Sequence, residues 1–191
     1  LQPGVQALVE IADLQRAHIL QKRQPRVILR LRVDRAAAQP DLELAGVEVE
    51  LVARDPRRAN LIARIPGTGG GPSLAFVGHS DVVPADPRDW VHPPFGAVVD
   101  DDGFLWGRGA IDMKNEVAAR TVAMASLARS GWRGTGDLLL VIVADEEDGS
   151  AEVGMNWLVT ERPDIATDYA LNEGGGLPFR LGDGRLMVEV A

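Results

Sequence analysis

Apolar and polar positions fall into two regimes along the chain, and from residue 46 onward the pattern is sharp. Residues 47–53, VEVELVA, alternate with the two-residue period of a half-buried strand. Residues 60–66, NLIARIP, read as a second strand, with RDPRRA between the two as a turn. Residues 74–79, LAFVGH, and 137–144, DLLLVIVA, are continuous apolar runs, as expected of strands covered on both faces. Residues 97–107 suggest a small hairpin turning at Asp101-Asp102-Gly103. A helix is expected over residues 115–130, with Asn115 as its N-cap and Gly131 as its stop. Val117, Ala118, Val122, Ala125 and Leu127 give that helix an apolar side, leaving Arg120 and Arg129 to face water. A second helix is expected over 151–161, and a strand over 168–176 that ends in glycines. Strands alternating with helices predict an α/β fold, a mainly parallel mixed sheet flanked by helices.

Residues 1–45 obey a looser pattern. Val5, Leu8, Val9, Ile11, Ala12 and Leu14 place a rough apolar face on a helix over residues 5–20, and RVILRLRV, residues 26–33, alternates only in part. The simpler reading is a loosely ordered basic end. The expected division is therefore a divergent segment over 1–45 and a patterned domain over 46–191. GTGGGPS, residues 67–73, is glycine-rich, but it lacks the spacing and the lysine of a phosphate loop and is given no phosphate role.

Charge adds a contrast. The 191 residues carry a formal net charge of −8, yet residues 1–40 are basic. The acidic balance argues against nucleic-acid binding as the main task. No run of about 18 apolar residues marks a membrane span. The absence of cysteine excludes disulfides and thiolate metal ligands, and fits a cytoplasmic protein. The chain opens on Leu1 and stops at Ala191 within what reads as a strand, so both ends read as cut.

The polar residues that matter collect at strand ends. LAFVGHSD ends at His79 and Asp81, LLLVIVADEE at Glu146 and Glu147, and DYALNE at Glu173, while Asp112 precedes the long helix. Parallel strands would bring these ends to one edge of the sheet, where ligands bind in such folds. Each residue alone has an ordinary reading: a hydrogen-bonded histidine, a solvated acidic loop, a helix cap. Together a histidine and several carboxylates form the donor set of a zinc, cobalt or manganese site. His18 and His92 lie elsewhere and read as structural, and Asp145 and Asp148 as loop or supporting acids.

With these residues in place the chain resembles the dinuclear zinc hydrolases that include acetylornithine deacetylase, succinyl-diaminopimelate desuccinylase, aminoacylase, carboxypeptidase G and the carboxypeptidase S group. GHSDVVP, WVHPPF, LWGRGAIDMK, ADEEDG and LNEGGG carry the resemblance, in order and spacing, over about residues 46–176. HPPF and NEGGG lean toward the carboxypeptidase S and aminoacylase side. The resemblance implies a zinc exopeptidase-like catalytic domain with two zinc ions, for which cobalt or manganese can substitute. It implies that His79 and Glu173 bind one metal, that Glu147 binds the second and that Asp112 bridges them. Asp81 would hydrogen-bond the other ring nitrogen of His79, and Glu146 would be the general base. It also implies a cis peptide between Asp112 and Met113. The implied reaction is amide hydrolysis of an N-acyl amino acid or short peptide by a hydroxide bridging the metals.

The chain also departs from that family. A further histidine completes the second metal site there, and none follows His92 here. A lid or dimerisation domain, through which the full-length protein would form a homodimer, is expected beyond Ala191. Residues 16–40 do not read like the family's N-terminal segment and suggest divergence or a reading-frame error. The chain alone is therefore expected to be inactive, binding one metal through His79, Asp112 and Glu173. The alternative is a non-catalytic metal-binding or interaction protein on the same fold. GRGAIDMK disfavours a third reading, a leucine-type aminopeptidase.

Overall fold

The computed structural model describes residues 35–148, 152–174, 178–180 and 186–188. The helix expected over 5–20, the partly alternating run over 26–33 and His18 lie outside them. The first described element is a helix that the apolar pattern does not announce, α1 (Arg35–Leu44). Pro40 lies inside it and forgoes one helical hydrogen bond. Burial offsets that loss, because Ala38 and Leu42 enter the main core cluster. The helix closes on Gly46, at φ 77°, whose N–H donates to the Glu43 carbonyl, while Val47 N–H reaches back to Leu42. A side chain in that left-handed conformation would be strained, and the buried Val47 completes the motif with an apolar contact.

Then follow β1 (Glu48–Val52), β2 (Asn60–Ile65), β3 (Leu74–His79), the short hairpin β4 (Val98–Val99) and β5 (Leu105–Trp106), α2 (Lys114–Arg129), β6 (Leu138–Val143), α3 (Met155–Glu161) and β7 (Tyr169–Leu171). β8 (Pro178–Arg180) and β9 (Leu186–Val188) pair with each other antiparallel. Five strands form one sheet in the order β1-β2-β6-β3-β7. β1–β2 and β2–β6 are antiparallel, whereas β6–β3 and β3–β7 are parallel. The sheet is thus mixed, and its parallel half places the ends of β6, β3 and β7 side by side.

All six residues of β6 are buried, which explains its unbroken apolar run. Leu138, Leu140 and Ile142 join Leu42, Met113, Val117 and Met124 in one cluster, while Leu139, Val141 and Val143 join Leu158 and Ile165 in another. The two-residue period therefore feeds both faces of the sheet, with α1 and α2 contributing to one cluster and α3 to the other.

Three expected boundaries move. α2 starts at Lys114 with Met113 in the cap position, so Asn115 lies within the first turn and is not the N-cap. The buried Met113 packs its Sδ and Cε against Gly78, where a Cβ would lie 3.0 Å from Cε. α3 starts at Met155, after Gly154, which lies so close to Asp145 that a Cβ there would meet its carbonyl at 2.6 Å. β7 spans only Tyr169–Leu171 before the chain leaves β3. Gly131, at φ 74°, does end α2, with the Gly131 and Trp132 N–H groups returning to Ala128 and Leu127. Among the described residues no helix is long and apolar enough to cross a membrane.

If α1 is part of the core, Leu42→Ala will destabilise the protein by about 2–5 kcal/mol. Chemical denaturation would read this as a lowered midpoint at unchanged slope. An unchanged midpoint would remove α1 from the core.

Candidate metal centre

His79 ends β3, opposite Val143 of β6, and its side chain is fully buried. Its N–H donates to the Met113 Sδ at 3.3 Å, which ties the strand end to the start of α2. Its Nδ1 lies 2.9 Å from the Asp81 backbone carbonyl. A carbonyl only accepts, so Nδ1 carries the proton and the neutral ring presents its Nε2 lone pair on the other side. That lone pair faces Asp112 Oδ1 at 3.0 Å, Glu173 Oε1 at 3.2 Å and Glu146 Oε2 at 3.9 Å. Lone pair against carboxylates is repulsive unless something positive lies between them.

A proton is one answer. Burial works against charging His79, but hydrogen bonds with Asp81 and Asp112 and the charge of Glu173 outweigh it and raise its pKa to about 9. Glu173 is pushed above the ordinary carboxylate range, first by burial and then by Asp112 and Glu146, with His79 opposing. A divalent cation is the other answer. His79, Asp112 and Glu173 each offer a donor atom, all within 4.8 Å of one another. One imidazole nitrogen and two carboxylates suit a zinc-like ion, and the raised His79 pKa shows that the cluster favours positive charge.

Asp81 faces Nδ1 of His79 through its backbone as well as its carboxylate. Its backbone carbonyl, not its carboxylate, is the nearer partner of Nδ1; the carboxylate lies at 3.5 Å. That carboxylate also accepts the N–H groups of Glu146, at 3.0 Å, and Glu147, at 3.1 Å. Burial opposes ionisation of Asp81, yet these bonds and His79 hold its pKa below the ordinary value. Asp81 therefore ties the histidine turn to the acidic loop that follows β6.

The four acids of that loop separate. Asp145 turns inward and pairs with Arg58 at 2.7 Å, its side chain fully buried. Arg58 also donates to the Ala144 carbonyl. The buried Asn60 accepts from Ala144 N–H at 3.0 Å and donates to the Val153 carbonyl at 2.8 Å. Glu146 is half exposed beside His79. Glu147 is half-buried and stands outside the His79–Asp112–Glu173 cluster. Sequence reasoning misses Arg58 and Asn60, which present themselves only as a turn residue and the first residue of a strand. The signal for Asn60 is an amide opening an otherwise apolar strand; Arg58 has none, because its partners lie 86 and 87 residues away.

Arg120 does not face water. It lies mostly buried and contacts Glu116, the Val77 carbonyl and the Asn172 carbonyl. His92 stacks at a tilt against Trp106, with ring centroids 5.1 Å apart. The Asp112–Met113 peptide is cis.

Comparisons with known proteins agree with this architecture. Residues 75–184, more than half of the chain, match the family described as peptidase family M20/M25/M40. Succinyl-diaminopimelate desuccinylase of Alkalilimnicola ehrlichii is 48% identical over 88 residues, which are 44% of this chain and 23% of that protein. Human carnosine dipeptidase 1 superposes with a TM-score of 0.59 at 26% identity, over 89% of this chain and 38% of that one. A metallo-carboxypeptidase of Sulfolobus solfataricus superposes with a TM-score of 0.61 at 26% identity, over 74% and 32%. The chain thus spans about a quarter of the length of the desuccinylase it matches.

The raised His79 pKa gives a signed expectation. The protonated ring stabilises the metal-free fold fully below about pH 6.5, and that contribution is lost as pH rises through about 9. A cation that displaces the proton binds more tightly across the same window. Calorimetric zinc titration at pH 7.5, in buffers of different ionisation enthalpy, should show release of about one proton per cation. Release near zero would mean that His79 is neutral there.

Proposed function

The chain belongs to peptidase family M20/M25/M40, and on that footing we propose that it is part of a metal-dependent hydrolase that cleaves the amide bond of an N-acyl amino acid or short peptide. The observation that carries the reading is the convergence of His79, Asp112 and Glu173 from two strand ends and a helix start, with Glu146 at the rim. The relatives named above, a desuccinylase, a dipeptidase and a carboxypeptidase, support an amide as the bond attacked.

His79, Asp112 and Glu173 would hold one cation. Asp112 would reach a second, to which we assign Glu147, although the cluster itself does not contain it. When bound, such ions, zinc or in its place cobalt or manganese, polarise a scissile carbonyl and acidify an attacking water. The rest falls to the chain's own groups. Asp81 holds the His79 ring through its carbonyl and the Glu146–Glu147 backbone through its carboxylate. Glu146, exposed and 3.9 Å from His79 Nε2, accepts the proton of the attacking water and returns it to the leaving nitrogen. The products are a carboxylate and an amine.

In the full-length protein Glu146→Gln should lower kcat at least 100-fold, the scale of a lost general base. Zinc content, read by metal analysis, should stay unchanged. Retained turnover would take Glu146 out of the mechanism. A wild-type protein that binds zinc but turns over no N-acyl amino acid or dipeptide would favour a non-catalytic metal-binding role.

A further inference from the structure

Arg120 is the described arginine whose surroundings depart furthest from its place on an amphipathic helix. Its side chain is 13% exposed. It sits in the second turn of α2, yet its guanidinium leaves the helix surface and ends between two strands. Nη1 donates to the Val77 carbonyl of β3, and Nη2 to the Glu116 carboxylate and, at 3.1 Å, to the Asn172 carbonyl beyond β7.

The register gives those two carbonyls meaning. β3 and β7 pair as far as Phe76 with Leu171, and there the ladder stops although β3 runs on to His79. Val77 and Asn172 are the next residues on each side. Arg120 therefore spans the point at which the two strands part, with fixed N–H donors where ladder bonds cease. His79 lies two residues beyond Val77, and Glu173 one beyond Asn172. Glu116, the third partner, sits in the first turn of the helix that Asp112 and Met113 lead into. One planar cation thus joins the three backbone segments that deliver His79, Asp112 and Glu173. A guanidinium suits this task because its donors are held in a rigid fork, whereas an ammonium is a point charge.

We propose that Arg120 is a positioning residue for the metal cluster, setting the gap between the β3 and β7 ends so that Glu173 reaches the donor set of His79 and Asp112. The inference rests on the metal-binding reading above. It makes Arg120 a determinant of cation affinity through Glu173, without contact with the cation.

The test is a double-mutant cycle on zinc affinity, measured by competition with a chromogenic chelator. Arg120→Met should weaken zinc binding about 10–100-fold, the range for groups that orient a ligand. Glu173→Gln should also weaken it, and adding Arg120→Met to Glu173→Gln should cost little more. Arg120→Lys keeps the charge beside Glu116 but not the fork, and should show an intermediate loss, which serves if Arg120→Met does not fold. Full wild-type affinity in Arg120→Met or Arg120→Lys, whatever happens to the melting temperature, would overturn the inference, as would losses that multiply in the double variant. A wild-type protein that binds no zinc would instead overturn the metal reading, and the inference with it.

Discussion

Nε2 of His79 is buried against Asp112 and Glu173, and its ring cannot turn away because Nδ1–H is held by the Asp81 carbonyl. This geometry makes a standing demand for positive charge. A proton meets it in part, which is why burial fails to keep the ring neutral and its pKa rises to about 9. A divalent cation meets it better, since it satisfies several carboxylates at once. The sheet's mixed topology serves the same demand: antiparallel β1 and β2 flank β6 on one side, leaving the parallel trio β6, β3 and β7 to bring its ends together.

Holding so much negative charge at one edge requires counterweights that are themselves fixed. Asp145 would add to the repulsion if it faced the cluster, and Arg58 draws it away as a paired, buried group. Asp81 commits its carboxylate to two backbone N–H groups, which keeps it ionised while it aims the loop bearing Glu146 and Glu147. Asn60 fixes the strand end beneath that loop. Removing one of these partners would leave a buried polar group unsatisfied, so breaking such a contact costs more than forming it contributes.

How much of this can be read in the sequence follows from the range of each interaction. Apolar runs and strand-end acids are local signals, so β3, β6, α2 and the convergence of His79, Asp112 and Glu173 are legible in the residue pattern. α1 is not, because Pro40 and the basic surroundings speak against a helix, and only packing against the sheet and α2 favours one. Arg120 escapes for a related reason. Helical periodicity places it on a polar side, and nothing local tells that its tip meets a carbonyl 52 residues away. Asn115 has the residue type of a cap, while the buried contact of Met113 with Gly78 starts the helix earlier. The acidic loop is legible as a cluster but not as a division of labour, since neighbouring side chains diverge according to hydrogen bonds made by distant residues.

The exposures around the cluster also give it a direction. The side chain of His79 is fully buried and that of Glu173 is 23% exposed, while Asp112 and Glu146 are 59% and 51% exposed. The nitrogen donor therefore forms the floor, Glu173 a wall, and Asp112 and Glu146 the open side. The open side is where solvent reaches the cluster. This polarity sets Glu146, the proposed proton acceptor, apart from the adjacent acid Asp145: only the former meets solvent and the histidine-centred cluster together. It also explains why the buried side of the site is braced so heavily. The floor must resist the repulsion of its own carboxylates, whereas the rim stays open to water.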